Sequence, residues 1–118
     1  MRSLKFRAWY ENSQTWVYLT IGQTLNDIQK GIYDDICLNG GTWYQYTGLK
    51  DKNGKEIYEG DIITHLGRNG GKPHMIFYSL PHAAFCGNYG FAYPLQEGEF
   101  YLGQIEVIGN IHENPDLL

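Results

Sequence analysis

Apolar and polar positions alternate with a period of two along much of this chain. Leu4, Phe6, Ala8 and Tyr10 fall on one side of an extended segment, and Lys5, Arg7 and Trp9 fall on the other. That alternation predicts a strand with one buried face. Glu11-Asn12-Ser13-Gln14 is turn chemistry, and the β-rich run Trp16–Ile21 follows it, so the two runs predict a hairpin. Trp43–Thr47, Ile62-Ile63-Thr64, Met75–Leu80, Phe91–Leu95, Phe100–Leu102 and Ile105–Ile111 are further strand candidates. In the last of these, Ile105, Val107 and Ile111 share a face. Turns separate the runs. Asp51-Lys52-Asn53-Gly54 is a tight turn, with Asn53-Gly54 the pair favoured in type I′ hairpins. Glu59-Gly60-Asp61 and Cys86-Gly87-Asn88-Tyr89-Gly90 read as turns, and Gly67–Pro73 reads as a loop.

Helical spacing is confined to one place. Leu25, Ile28 and Ile32 are spaced for one helix face, Thr24 is placed to cap its start, and Asp27 suits the first turn. Gly31 supplies a left-handed stop, so the helix is expected over Thr24–Lys30. A helix of two turns depends on tertiary packing. The whole pattern is therefore mainly β, a small barrel or roll with an N-terminal hairpin and one short helix.

Composition sharpens this. The chain has 118 residues, and surface scaling gives about 6,500 Å² exposed when folded against about 20,000 Å² unfolded. One hydrophobic core is affordable without disulfides or a structural metal. Fifteen Gly and ten Tyr, with only 19% charged residues, suit short strands and tight turns rather than helices. The net charge of −4 argues against a large phosphate-binding surface. Cys37 and Cys86 form no CxxC pair, and Met1-Arg2-Ser3-Leu4-Lys5-Phe6 carries no apolar signal core. No apolar run approaches the roughly 20 residues that span a bilayer. A cytosolic protein with two free thiols is the expectation.

The candidate chemistry is sparse. Asp51-Lys52-Asn53-Gly54-Lys55-Glu56 resembles a calcium loop, but its Gly stands fourth rather than sixth and Ile62 holds the twelfth place. His74, His82 and Cys86 could ligate a metal, yet His82 and Cys86 meet only on a helix that Pro81 and Gly87 disfavour. The competing reading is one buried Cys and two surface imidazoles. Ser3, Ser13 and Ser79 lie in no nucleophile elbow, and Gly67-Arg68-Asn69-Gly70-Gly71-Lys72 lacks the Lys-Ser/Thr ending of a P-loop. Asp34-Asp35 reads as solvated loop. Lys50, Lys52, Lys55, Arg68 and Lys72 form the one basic cluster, diluted by Asp51, Glu56, Glu59 and Asp61. With Tyr44, Tyr46, Tyr58, Tyr78 and Tyr89 as stacking rings, they are the candidate contacts for single-stranded nucleic acid. The structural alternative is Tyr rings filling a small core.

Three segments carry a resemblance. Lys5-Phe6-Arg7-Ala8-Trp9 opens the chain, Gln45-Tyr46-Thr47-Gly48-Leu49-Lys50-Asp51-Lys52-Asn53-Gly54-Lys55-Glu56-Ile57-Tyr58-Glu59-Gly60-Asp61-Ile62 forms its centre, and Ile105–Pro115 closes it. Their order and spacing resemble the YopX family of bacteriophage and prophage proteins. The resemblance implies a single domain over 1–118, with a hairpin and short helix in 1–44 and an SH3-type β-barrel in 45–118. It implies a phage-encoded protein acting in the bacterial host cytoplasm. It brings no catalytic residue, cofactor or metal ligand with it. Residues 64–103 carry none of the matching segments. Gly48, Gly54 and Gly60 punctuate turns, Leu49, Ile57 and Ile62 can fill a core, and Asp61 can bond backbone N–H groups. The leading expectation is a non-catalytic, self-associating protein-interaction module with a host or phage protein as partner. A single-stranded nucleic-acid binder is the second reading, and a small metal- or Cys86-dependent enzyme is the third.

Overall fold

The computed structural model describes residues 4–22, 24–66, 71–88, 92–95 and 103–118. The chain divides into two compact units, Met1–Tyr46 and Thr47–Leu118. It is mainly β, as the alternation predicts, with two antiparallel sheets and one α-helix among the described residues.

In the first unit, β1 (Lys5–Tyr10) pairs with β2 (Thr15–Thr20) from Lys5↔Thr20 to Tyr10↔Thr15. Its other edge pairs with the start of β3 (Trp43–Lys50), Phe6 opposite Gln45. The expectation of one buried face on β1 is corrected: neighbouring positions Arg7 and Ala8 are both buried. Arg7 tolerates this because its guanidinium lies 4.0 Å over the Trp16 ring, a cation–π contact that offsets part of its desolvation. Trp16 in turn stands edge-on to Trp9 and Tyr44.

The helix α1 runs Asp27–Leu38, longer and later than the sequence pattern predicts. Its N-cap is Asn26, not Thr24. The Asn26 side chain accepts from the Gln29 N–H at 2.8 Å, and the Gln29 side chain accepts from the Asn26 N–H at 2.9 Å, a reciprocal capping box. Gly31 does not stop the helix. Its cost is about 1 kcal/mol relative to Ala, while Ile32 and Tyr33 half-bury and Ile36 buries beyond it. The stop comes at Gly40, in the left-handed region with φ +73°. There the Gly41 N–H bonds the Ile36 carbonyl at 2.8 Å. A Cβ on Gly41 would stand 2.5 Å from Ile36 Cγ2, so this exit requires glycine. Asp34 and Asp35 therefore lie on a helix, not in a loop, and their side chains diverge by about 100°.

The second unit begins with the end of β3, which pairs with β4 (Glu56–Tyr58). The remaining strands are β5 (Asp61–His65), β6 (His74–Ser79), β7 (Ala84–Asn88), β8 (Ala92–Pro94) and β9 (Ile105–Asn110). They form one antiparallel sheet in the order β8-β7-β6-β5-β9. That order is open at both ends among the described residues, so the closure of an SH3-type barrel is not seen there. β7 corrects the sequence reading, because Cys86, Gly87 and Asn88 are strand rather than turn. They pair with Phe77, Ile76 and Met75 of β6, and that ladder overrides their turn propensity. The strand expected at Phe100–Leu102, and Gly67–Gly70 of the expected loop, lie outside the described residues.

The core of this unit is Leu49, Ile57, Ile63, Ile76, Ile105 and Val107. Each such side chain contributes about 1.5–3 kcal/mol on burial. A register shift against β9 between Ile62 and Ile63 goes with complete burial of both. The Asp51–Lys55 turn also differs from expectation. Only Gly54 has positive φ, at +79°, and the Gly54 N–H bonds the Asp51 carbonyl at 3.0 Å. This is a type I turn followed by a left-handed Gly, not a type I′ pair.

Gly31 has open space where a Cβ would go and no positive φ. Gly31→Ala is expected to stabilise the protein by up to about 1 kcal/mol, read as a raised urea midpoint at unchanged slope.

Candidate functional site

The polar groups of the second unit are buried in structural hydrogen bonds. The Asp51 carboxylate accepts from three backbone amides: Asn53 and Lys55 at 2.9 Å on Oδ1, and Val107 at 2.9 Å on Oδ2. Asp61 Oδ2 accepts from the Tyr58 N–H at 2.7 Å, the turn role its sequence position suggests. Asn110 Oδ1 accepts from the His112 and Glu113 amides and so closes the turn after β9. A carboxylate whose lone pairs are spent on amides is a poor calcium ligand or general base.

One buried cluster was not legible in the sequence. The Tyr93 hydroxyl meets His65 Nδ1 at 3.2 Å and also contacts His74 Nε2, while His74 Nδ1 faces the Lys72 carbonyl at 2.9 Å. That carbonyl only accepts, so His74 Nδ1 carries the hydrogen. With His74 neutral, its Nε2 accepts from the Tyr93 hydroxyl, whose oxygen accepts from His65 Nδ1–H. The chain of donors ends on the Lys72 carbonyl and ties β5, β6 and β8 together. Gly87 makes room for it, since a Cβ there would stand 2.3 Å from Tyr93 Cζ. His74 is thus buried, which corrects its reading as a surface imidazole. The three residues are separated by 9 and 19 positions, and no spacing rule points to them.

His82 is exposed in the β6–β7 turn, and its Nδ1 meets Ser79 Oγ at 2.8 Å. The Cys86 thiol donates to the Ala84 carbonyl at 3.6 Å, and the Ser79 hydroxyl lies close enough to favour its thiolate. Burial nevertheless pushes the Cys86 thiol up, outweighing the Ser79 bond that lowers it. A buried thiol held protonated is the wrong nucleophile. Among the described residues, no group of three or more His, Cys, Asp or Glu is placed to hold a metal ion.

The basic cluster is only partly gathered. Lys52 and Lys55 are exposed on the turn that Lys50 leads into, and Lys72 is exposed just before β6. Lys52 Nζ lies 3.7 Å from Glu106, which also accepts from Asn53. Arg68 and Tyr89 lie outside the described residues. Of the other proposed stacking rings, Tyr46 and Tyr58 are buried, Tyr44 is half-buried, and Tyr78 is exposed.

Two clefts of the first unit stand out among the described residues. One, about 230 Å³, is lined by Trp16, Leu19, Leu25, Ile32, Tyr33 and Trp43, together with Val17, Tyr18 and Gln29. No charged side chain lines it. Tyr33 and Trp43 pack ring to ring at 5.6 Å across it. The other, about 250 Å³, lies between the β1–β2 turn and the C-terminal end of α1, where Trp9, Tyr10, Glu11, Asn12, Asp35 and Asn39 line it. Asp35 accepts from Asn39 Nδ2 at 2.7 Å and from Asn12 Nδ2 at 3.3 Å. Sequence reasoning missed both clefts, because the expected helix starts three residues early and ends eight residues short. The Asn26-x-x-Gln29 signature was the signal available.

Cys37 is exposed and Cys86 buried. At neutral pH, iodoacetamide is expected to label Cys37 first and Cys86 only after unfolding, read by peptide mass spectrometry. The raised Cys86 value also has a sign: its stabilising contribution is complete below the unfolded thiol value near 8.5 and is lost as pH rises through the folded value.

The comparisons agree with this architecture. The crystal structure of protein EF1440 from Enterococcus faecalis superposes with a TM-score of 0.59 at 26% sequence identity, covering 98% of this chain and 97% of that one. No curated protein sequence matches the chain. No helix among the described residues is long and apolar enough to cross a membrane. The pattern of the YopX protein family matches residues 5–118, so this chain belongs to the YopX family.

Proposed function

We propose that this protein is a non-catalytic interaction module, phage-encoded and acting in the bacterial cytoplasm, that binds a host or phage protein and associates with itself. In this reading the second unit is a scaffold of SH3-type barrel design, and the first unit makes the contact. The observation that carries it is the uncharged aromatic cleft of the first unit. Its lining is the Trp and Tyr chemistry enriched at interface centres. Tyr18, one of its walls, is 55% exposed, and Ile21, Ile28 and Leu38 of the same unit are 58%, 76% and 85% exposed. The second unit's buried carboxylates and imidazoles, in contrast, are committed to holding strands. Contact of single-stranded nucleic acid with Lys50, Lys52, Lys55, Arg68 and Lys72 is the alternative that the same experiment separates.

The test is affinity capture of the tagged chain from host cells, with and without nuclease, beside sedimentation of the purified protein up to high micromolar concentration. The reading expects a protein retained after nuclease or a concentration-dependent oligomer, and loss of either on Tyr18→Glu with the fold intact by circular dichroism. A monomer that retains only nucleic acid would overturn it.

A further inference from the structure

We propose that the second cleft of the first unit, between the β1–β2 turn and the end of α1, receives the guanidinium of an arginine side chain from a partner polypeptide. This rests on the interaction-module reading and names the chemistry of the partner.

The charges of the cleft are one-sided. Glu11 and Asp35 line it, and no Lys or Arg does. Among the described residues neither carboxylate has a cationic partner. Asp35 is held by the amides of Asn12 and Asn39, which fix its orientation without neutralising it. Glu11 Oε2 accepts from Gln14 Nε2, which leaves Oε1 for a ligand. The C-terminal end of α1 adds to the same sign. A helix terminus of this kind carries roughly half a negative charge, and no basic residue occupies its last turn.

The walls select among cations. Trp9 and Tyr10 line the cleft beside the carboxylates. Aromatic rings next to acceptors suit a flat, weakly hydrated guanidinium better than a compact ammonium. This unit already uses that chemistry internally, with the Arg7 guanidinium 4.0 Å over Trp16. The size also fits, since about 250 Å³ takes one side chain rather than a nucleotide or cofactor. A phosphate ligand is opposed by the sign of both carboxylates. The shape is set by rigid parts: Gly41, which lines the cleft, is held against Ile36 by close contact, and Asn39 is bonded back to the Asp35 carbonyl at 2.8 Å.

The experiment titrates N-acetyl-arginine amide, with N-acetyl-citrulline amide as its neutral counterpart, into the full chain and follows amide shifts by NMR. The proposal expects saturable shifts at Trp9, Tyr10, Asp35 and Asn39 with the arginine compound, weakened by salt and absent with citrulline. Glu11→Gln and Asp35→Asn together are expected to weaken binding on the order of tenfold. Asp34→Asn, which removes the carboxylate paired with Lys30 outside the cleft, leaves it unchanged. Equal shifts from citrulline, or no saturable shift from arginine with both variants folded, overturn the proposal. A partner captured by the native chain and still held by Glu11→Gln/Asp35→Asn overturns it as well. That outcome leaves the module reading standing, which fails when the native chain is a monomer that retains no protein.

Discussion

One buried carboxylate organises the second unit. Asp51 sits where β3 turns towards β4, and its two oxygens take three backbone N–H groups, two from its own turn and one from Val107 in β9. Hydrogen bonds to a charged acceptor contribute about 1.5–3 kcal/mol each, more than a neutral pair. The turn itself adds a further link, the Lys52 N–H on the Ile105 carbonyl at 2.9 Å. The consequence is long-range. A five-residue turn is fastened to a strand more than fifty positions away, and β9 brings Ile105 and Val107 into the core with Leu49 and Ile57. The most recognisable stretch of the sequence is therefore a structural fastening. Its acid at position 51 is committed to main-chain amides.

The same logic runs through the buried polar groups of this unit. Asp61 caps the β4–β5 turn, Asn110 caps the turn after β9, and Tyr93 links His65 to His74. Each of these groups holds main chain or another side chain. The first unit is arranged differently. Most of its aromatic residues are half-buried, with Tyr18 exposed and Tyr46 buried, and the two clefts described differ in charge, one apolar and one acidic. In the proposed reading, binding uses this less completely sealed unit.

Particular residues show what the sequence could and could not carry. Apolar patterning located β1, β2, β3, β5, β6, β8 and β9, because a period of two survives in a half-buried sheet, but it passed over the three-residue β4. It failed for β7, where Cys86-Gly87-Asn88 has turn composition and becomes strand only by pairing with β6 and receiving Tyr93 over Gly87. It misjudged α1 by giving Gly31 more weight than Ile32 and Ile36, a local propensity of about 1 kcal/mol against tertiary burial. Gly54 was readable as a left-handed turn residue, and Asp61 as a cap. The Asp51–Val107 bond was not, since no local rule connects a turn to a distant strand. His65, His74 and Tyr93 were invisible for the same reason, and the clefts depended on the helix bounds that were misplaced.

The central claim is that Asp51 fastens the turn to β9, and the most direct test is denaturant unfolding of Asp51→Ala combined with amide hydrogen exchange. The account predicts a loss of about 3 kcal/mol or more, with protection falling first at Val107, Lys55 and the β5–β9 ladder. Asp51→Asn should recover part of it, because one oxygen still accepts. A loss below about 0.5 kcal/mol, with β9 protection intact, would contradict the account.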